Sequence, residues 1–262
     1  MNLEDKLDQV RAEYLRRVTS GNGNLLRAVE SYAASHTGKM LRPRMLLAAA
    51  ATLGEETLNS RRTLLLAVAV EMLHNASLLH DDVIDNDLQR RGQPSVNARF
   101  GNTTAVLVGD YLLAQIMNLL DEIDDRDATR RINQTVIAMT EAELLAQELQ
   151  GIQEVQGVQE VVGKTDGTPQ DDSVDCGIAL NSVNYMNYMN YLKIIDGKTA
   201  RLFATAAALG NPLYEEFGLH YGRLFQLRDD LADGEATPFT ADLIRQEEAS
   251  LATIKPTLSV QI

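Results

Sequence analysis

The chain has 262 residues, of which 45% are hydrophobic, enough for one large domain or two small ones around a buried core. Its net charge of −13, from 24 Lys and Arg against 37 Asp and Glu, argues against nucleic acid as a partner. Cys176 is the single cysteine, which excludes an intrachain disulfide and a zinc site built from several cysteines.

The N-terminal stretch MNLEDKLDQVRAEYLRRV is charged and amphipathic and has no apolar signal core, which predicts a cytoplasmic protein. Residues 64–79 are apolar, but Glu71, His74 and Asn75 interrupt them and the run is short, so we expect no membrane span. Proline is scarce at six, and strand-like alternation is hard to find. We therefore predict an all-α fold.

Apolar spacing in the first part of the chain predicts helices over residues 3–18 and 25–35, and a third that has Pro43 in its first turn and ends before Gly54. Lys39 and Arg42 precede the N-terminus of the third helix, where free backbone N–H groups favour an anion. As an isolated basic pair, they would more often be surface charge.

The stretch from Leu64 to Arg91, LLLAVAVEMLHNASLLHDDVIDNDLQRR, predicts a helix that is buried on most sides and ends in a row of aspartates. Asp81 and Asp85 are four residues apart and lie on one helical face. Because the dipole makes negative charge unfavourable at a helix C-terminus, we expect a cation there.

Beyond a turn at residues 92–95, a second buried helix is predicted to run to Ile123, with Gly109 allowing close helix contact and Asp110 making a buried structural hydrogen bond. A long amphipathic helix follows over residues 130–150. Residues 153–183 read as an irregular polar segment whose Asp171, Asp172 and Asp175 are solvated.

The helical pattern resumes at Tyr191 and runs to Gly210, and another helix covers Leu219 to Asp233. The latter carries a second Asp-Asp-x-x-Asp motif, and a short tail of amphipathic fragments follows it. We see no domain boundary and predict a single domain over residues 1–262.

Carboxylates at helical spacing suit Mg²⁺, which bridges carboxylates to phosphates, while Arg and Lys bind phosphate directly. The sequence thus predicts a diphosphate site.

At these residues the chain resembles the trans-isoprenyl diphosphate synthases of the polyprenyl synthetase family. The motifs GKMLRP, EMLHNASLLHDDVID, RRG, FGNTTAVLVGDYLLA, GKTA and FQLRDDLAD occur in the family's order. The resemblance implies a single-domain bundle of roughly ten or more helices around a central hydrophobic cavity, with the two aspartate motifs facing each other near its mouth. It also implies a homodimer packed through central helices.

The resemblance further implies the site. Mg²⁺ ions would be held by Asp81, Asp85 and Asp229, with Asp82, Asp230 and Asp233 as weaker or indirect ligands. The allylic diphosphate would be bound by Arg90, Lys198, Thr199 and Gln226, and isopentenyl diphosphate by Lys39, Arg42, His74 and Arg91. Asp81, Asp85, Lys198 and Asp229 would form the catalytic set. The implied reaction is head-to-tail condensation that makes an all-trans polyprenyl diphosphate.

Product length is also partly predictable. Ala76 and Ser77 lie one turn deeper than Asp81 and are small, whereas in the family a bulky aromatic there blocks the cavity. We therefore predict a product longer than farnesyl diphosphate, although Leu73, Tyr111 or Met117 could form a lower floor.

Two alternatives stay open at this point. A terpene cyclase steers carbocations with aromatic walls, but aromatic residues make up only 5% of this chain and Trp is absent. A non-catalytic subunit of a heteromeric synthase would be expected to have eroded motifs, whereas both are intact here, and only the short C-terminal tail favours it.

Overall fold

The computed structural model describes residues 2–19, 38–163 and 188–254, with side chains described to residue 150 in the second range. Ten α-helices have defined bounds: α1 (Leu3–Val18), α2 (Leu41–Ala51), α3 (Glu55–Asn59), α4 (Arg61–Ile84), α5 (Val96–Phe100), α6 (Asn102–Ile123), α7 (Arg126–Gly163), α8 (Arg201–Gly210), α9 (Glu215–Asp233) and α10 (Thr240–Thr253). Residues 188–195 are also helical and lead into a π-helical turn, Asp196–Ala200. The predicted all-α fold is confirmed.

Helix α4 forms the centre of the molecule. Its residues 65–73 are all buried, because apolar side chains there, apart from Glu71, cover every face of the helix rather than one stripe. Helices α1, α2, α6 and α8 pack around it. Ser60 caps its N-terminus by accepting a hydrogen bond from the Thr63 N–H (3.1 Å), and the helix ends at Ile84, so that the first aspartate motif occupies its last turn.

A short hairpin follows α4. Strands β1 (Gln89–Arg90) and β2 (Gln93–Pro94) pair antiparallel around Arg91 and Gly92, both at positive φ. The hairpin turns the chain back at once, so that the Arg90 side chain stays close to the end of α4.

Helix α9 packs against α8 so closely that the backbones of the two helices are in contact. A Cβ on Gly218 would lie 2.5 Å from the Phe203 carbonyl oxygen, and one on Gly222 would lie 2.6 Å from the Ala200 Cα. Only glycine permits this approach, so the pair fixes α9 alongside the π turn and α8.

Glu13 is the centre of the ion pairs that hold α1 in place. Its carboxylate accepts hydrogen bonds from Arg16 Nε (2.8 Å) and Arg17 Nε (3.0 Å) on α1, and it pairs with Arg61 at the start of α4 (3.3 Å). The hydrogen bond from Arg16 is the largest influence on the carboxyl, and with Arg17 it lowers the Glu13 pKa to about 2.

Glu13→Gln is expected to lower the free energy of unfolding at pH 7 by about 2 kcal/mol, since three guanidinium groups lose a charged acceptor. The lowered pKa means that the contribution is present above the ordinary pKa of 4.5 and is lost as pH falls through about 2. Urea unfolding at pH 7 and pH 3 would measure this. Asp8→Asn, which removes an exposed pair with Arg11, is the control and should cost less than about 0.5 kcal/mol. Equal effects of the two variants would contradict the prediction.

Several local predictions need correction. Residues 153–163 are helical, as the end of α7, rather than irregular, and α7 begins at Arg126. The tail after Gly234 contains one 14-residue helix, α10, rather than short fragments, because Leu243 and Glu247 bury one face of it against the neighbouring helices. The predicted helix over 25–35 and residues 164–187 lie outside the described residues.

Asp110 was also predicted wrongly. Its side chain is 58% exposed and pairs with His80 (3.4 Å) instead of making a buried hydrogen bond. The neighbouring Gly109 does allow close helix contact as predicted, since a Cβ there would lie 2.3 Å from His80 Nε2. The His80 ring, on α4, therefore occupies the space beside Gly109 and leaves Asp110 at the surface.

By length and composition, two helices in the described part of the chain could cross a membrane, Arg61–Ile84 and Asn102–Ile123. Within the molecule, 72% of the most apolar window of the first is buried, and 39% of that of the second. A core helix meets the same criteria, so the absence of a membrane span stays a prediction.

Candidate active site

One face of the otherwise buried helix α4 is open. His74, Ser77 and Asp81 are half-buried and Asp85 is exposed, and their spacing of three or four residues aligns them along one side of the helix. Burial raises the pKa of Asp81 to about 6 and also raises that of Asp85. The negative charge of both carboxylates is therefore poorly compensated by the protein, and a bound cation would stabilise it.

Lys198 is the ammonium group that faces these carboxylates. It lies on the π turn and forms an ion pair with Glu143 of α7. Burial acts to lower the pKa of Lys198, but attraction by Glu143, Asp81 and Asp85 outweighs it, and the net pKa is raised. Lys198 is thus held in its charged form among three carboxylates.

Gly197 explains how the π turn comes this close to α7. A Cβ at this position would lie 2.4 Å from the Ala142 Cβ and 2.7 Å from the Ala138 carbonyl oxygen. Because there is no side chain at Gly197, the turn can rest on α7 one residue before Lys198, next to Glu143.

The next residue in the turn, Thr199, contacts the second motif. Its Oγ1 donates to Gln226 Oε1 (2.7 Å), and Gln226 Nε2 donates to Asp230 Oδ1 (2.7 Å). The Tyr191 hydroxyl also donates to Asp230. Asp230 is therefore occupied by hydrogen bonds within the protein.

Asp229, by contrast, is exposed at the end of α9. Burial, followed by repulsion from Asp233 and Asp230, raises its pKa. A cavity of about 190 Å³ adjoins it, lined by Tyr221, Leu224, Phe225, Arg228 and Asp229. Asp229 is thus available to a ligand, as is the exposed Asp233, whereas Asp230 is not.

The π turn connects the two aspartate motifs. Lys198 is attracted to Asp81 and Asp85, while the adjacent Thr199 is bonded to the Gln226–Asp230 pair. Since neighbouring Cα atoms are about 3.8 Å apart, the ends of α4 and α9 lie on either side of a single turn. The sequence predicted both motifs, but nothing in it indicated the π-helical geometry between them.

A second group of charges surrounds Arg42. Arg42 is only 9% exposed, its guanidinium lies 4.6 Å from the centre of the Phe203 ring, and its Nε has no hydrogen-bond partner among the described residues. Burial lowers the pKa of Arg42 to about 10, against the attraction of Glu71. A buried guanidinium of this kind is a strong binder of an anion.

Arg91 belongs to the same group. A Cβ on Gly38 would lie 2.5 Å from Arg91 Nη1, so the guanidinium rests against the backbone that leads to Lys39. Glu71 is 7% exposed, and burial raises its pKa in spite of attraction from Arg42 and Arg91. Glu71 is therefore a buried counter-charge shared by two arginines.

Arg90 contacts the first aspartate motif rather than the group of charges around Arg42. Its Nε donates to Asp82 Oδ1 (2.7 Å), and Nη2 donates to Asp82 and to Asp87 Oδ2 (3.1 Å). Asp82 is 1% exposed, which leaves it to anchor Arg90 rather than to bind a ligand directly. The role of Arg90 in binding an allylic substrate stays a prediction.

The two small residues behind Asp81 differ in their surroundings. Ser77, four residues away and about 40° around the helix, lies on the open face, and its hydroxyl donates to the His74 carbonyl oxygen (2.9 Å). Ala76, at about 140°, is packed in the core. Only Ser77 shares a face with Asp81.

Sequence reasoning missed Glu143 and Tyr191 as members of this site. Glu143 is one of several acidic residues along a long amphipathic helix, and Tyr191 follows a repetitive stretch, so neither carries a local signal. Within the described residues, no three His, Cys, Asp or Glu side chains are close enough together to hold a metal ion by themselves. A metal here would need a ligand from the substrate as well.

The fold and the paired motifs define the class of all-helical proteins with the isoprenoid synthase fold. The polyprenyl synthetase family model matches residues 23–242, and the chain belongs to this family.

Named relatives agree with this assignment. The chain is 33% identical over 230 residues to the all-trans-nonaprenyl-diphosphate synthase (geranyl-diphosphate specific) of Rhodobacter capsulatus, covering 84% of this chain and 61% of that protein. It is 28% identical to the octaprenyl diphosphate synthase of Escherichia coli, over 90% of this chain and 68% of that one. The chain therefore spans only about three fifths of the length of the first of these relatives.

A solved structure gives the same fold. It is a polyprenyl synthase from Caulobacter crescentus, complexed with calcium and isoprenyl diphosphate, with a TM-score of 0.66 and 28% identity. The match covers 87% of this chain and 62% of that one.

Proposed function

We propose that this chain is a trans-prenyltransferase that condenses isopentenyl diphosphate with an allylic diphosphate in head-to-tail fashion, forming an all-trans polyprenyl diphosphate. The observation that carries the proposal is the position of Lys198 and Thr199, which join the Asp81–Asp85 face to the Gln226–Asp230 pair across one turn. Such a turn can bind one diphosphate between two acidic helix ends.

The metal would be Mg²⁺, for which Asp81, Asp85 and Asp229 would supply carboxylate ligands and the diphosphate of the substrate would supply the others. Asp81 and Asp85 keep raised pKa values even with Lys198 nearby, so their negative charge is not fully compensated, and Asp229 is exposed. Asp82 and Asp230, by contrast, are already hydrogen-bonded to Arg90 and Gln226. When bound, Mg²⁺ supplies positive charge that neutralises the departing pyrophosphate. Calcium in the related Caulobacter protein supports a divalent cation.

The chain's own residues then divide the work. Lys198 binds the leaving diphosphate, with Arg90 approaching from its anchor on Asp82. Thr199 would join them by turning its hydroxyl hydrogen, which is donated to Gln226 in this structure, toward a phosphate oxygen. As the C–O bond breaks, Lys198 stabilises the charge that develops on pyrophosphate. The allylic carbocation is attacked by the isopentenyl double bond, and a proton is lost to the departing pyrophosphate.

The second substrate would use the other group of charges. Lys39, Arg42, His74 and Arg91 would bind the diphosphate of isopentenyl diphosphate, and Glu71 would hold the two arginines together. Because Arg42 is buried and charged beside an aromatic ring, a diphosphate there would be bound strongly and would be shielded from water.

The direct test uses the full chain with labelled isopentenyl diphosphate, each allylic primer and Mg²⁺, followed by sizing of the products. Longer allylic diphosphates support the proposal. A cyclic hydrocarbon would instead indicate a terpene cyclase. Absence of turnover by the isolated chain, with turnover restored by a second protein, would indicate a non-catalytic subunit.

Ser77→Phe is expected to shorten the product to about fifteen carbons, since a phenyl ring on the open face of α4 blocks growth one helical turn, about 5.4 Å, below Asp81. The wild-type product should exceed farnesyl diphosphate, as the nonaprenyl and octaprenyl products of the relatives also suggest. Sizing the products of Ser77→Phe and of the wild type measures both chain lengths. Ser77→Ala, which loses only the hydroxyl, is the control, and an unchanged product from Ser77→Phe would refute the assignment.

We also propose a cytoplasmic homodimer in which α6 packs against α6 of a second copy. Val106, Leu107 and Met117 are 37%, 55% and 69% exposed and lie on one face of this apolar helix. Leu107→Glu with Met117→Glu should convert the dimer to a monomer, as measured by analytical ultracentrifugation. Leu213→Glu, at a still more exposed leucine elsewhere, should leave the mass unchanged, and a monomeric wild type would exclude the dimer.

A further inference from the structure

A chain of charges runs from the C-terminal helix α10 to the π turn. Arg223 of α9 forms a two-pronged ion pair with Asp196, through Nε to Oδ1 (2.5 Å) and Nη2 to Oδ2 (2.7 Å). On its other side, Arg223 Nη1 donates to Glu247 Oε1 of α10 (3.4 Å). His220 Nδ1 also contacts the Glu247 carboxylate. Both of these side-chain contacts of Glu247 thus come from α9.

Glu247 is buried, with only 5% of its surface exposed. A carboxylate in such a place is retained only where cationic or donor groups compensate it. Arg223 is held between two carboxylates, Asp196 and Glu247, so its position depends on both. Through Arg223, Glu247 therefore influences the position of Asp196, the first residue of the π turn.

Helix α9 holds the turn at two points. Arg223 and Gln226 are three residues apart on α9, and their partners Asp196 and Thr199 are three apart on the turn. Lys198 lies between these two contacts. The close approach of Gly222 to Ala200 leaves no room for the turn to relax toward α9.

We propose that Glu247 is a positioning residue for Lys198 and Thr199, acting through Arg223 and Asp196. This inference rests on the proposed function. The family match ends at residue 242, so Glu247 lies beyond it. In this chain, α10 holds in place the π turn that binds the allylic diphosphate. A π turn is rare and often lies at a functional site, and here contacts from α9 hold it near both ends.

The test compares Glu247→Gln with wild type in the full chain. Glutamine keeps the shape of the side chain but removes the charge that holds Arg223. We expect KM for the allylic diphosphate to rise on the order of ten-fold, while KM for isopentenyl diphosphate changes less than about two-fold. KM for isopentenyl diphosphate is expected to change little because Arg42 and Arg91, which would bind this substrate, lie outside this chain of contacts.

The matched control is Glu248→Gln. Glu248 is the next residue, exposed and paired with Arg228 of the same α9 helix (2.7 Å). This variant removes the same charge between the same two helices, and both KM values should stay at wild-type level. An equal effect from the two variants would show a general loss of charge between α9 and α10 and would overturn the proposal.

Hydrogen exchange gives a readout that does not depend on activity. Amides of residues 196–200 should exchange at least several-fold faster in Glu247→Gln than in wild type or Glu248→Gln. Wild-type exchange together with an unchanged allylic KM would refute the positioning role. If the wild-type chain shows no prenyl transfer, the proposed function fails, while the exchange result still decides whether Glu247 holds the turn.

A second variant covers the case in which Glu247→Gln does not fold. Arg223→Lys keeps the positive charge beside Asp196 and Glu247 but loses the two-pronged geometry. It should show the same selective rise in allylic KM and the same faster exchange at 196–200. A parallel rise in both KM values would overturn the proposal.

Discussion

Asp81→Asn is expected to lower kcat by about a thousand-fold and, at the same time, to make the metal-free protein more stable. The loss of activity follows because a neutral amide cannot provide the charge that a divalent cation requires, and stabilisation of the leaving group is the largest contribution to catalysis in this proposal. The gain in stability follows from burial, which raises the pKa of Asp81 from 3.8 to about 6.

The direction of the pH dependence is set by that raised pKa. The neutral carboxyl is favoured in the folded state, so its contribution to stability is present below the ordinary pKa of 3.8 and is lost as pH rises through about 6. At pH 8, Asn should therefore stabilise the protein by about 1–2 kcal/mol, allowing for partial exposure, and the advantage should shrink at pH 5. Urea unfolding with a metal chelator measures it.

Asp127→Asn is the control for this experiment. Asp127 is exposed, and its hydrogen bond with Arg131 lowers its pKa, so the substitution should slightly destabilise the protein at pH 8 and leave kcat unchanged. If Asp81→Asn retained near wild-type kcat with Mg²⁺, the metal-binding role of Asp81 would be wrong.

Lys198→Met is expected to lower kcat by about a hundred-fold, since the leaving pyrophosphate loses an ammonium group within its site. It should also lower the free energy of unfolding at pH 8, because Asp81, Asp85 and Glu143 are left without their shared cation. Steady-state kinetics and urea unfolding test the two effects. Lys193→Met, five residues earlier and exposed, should change neither.

A double-variant cycle isolates the contact with Glu143. If this carboxylate holds Lys198 in place, Glu143→Gln should have much less effect on stability in the Lys198→Met background than in wild type. Additive effects would show that Glu143 and Lys198 act independently.

The residues that sequence reasoning identified correctly share a local pattern. Helix α1 begins and ends as predicted, because its apolar residues recur at helical spacing and Asn2 caps it. The first aspartate motif lies at the end of a buried helix, since the apolar run stops there. Pro43 lies in the first turn of α2 and Gly54 lies beyond its end, as their backbone preferences predict.

The predictions that failed depended on neighbours distant in sequence. Asp110 is exposed because the ring of His80 from another helix covers Gly109, and α10 forms because α9 offers a surface on which Leu243 and Glu247 are buried. Neither fact can be read from a window of a few residues.

The sequence by itself determined the all-helical class, the two acidic helix ends and the basic groups that could bind diphosphate, because hydrophobic period and charge are local properties of the chain. Only the tertiary structure decided how those charges pair: Arg90 with Asp82, Lys198 with Glu143, and Arg223 with both Asp196 and Glu247. The pairs of Lys198 and Arg223 are set by which helix faces meet at glycine contacts and in the core, and that packing involves residues far apart in the chain, while the pair of Arg90 depends on the hairpin that turns the chain back onto α4.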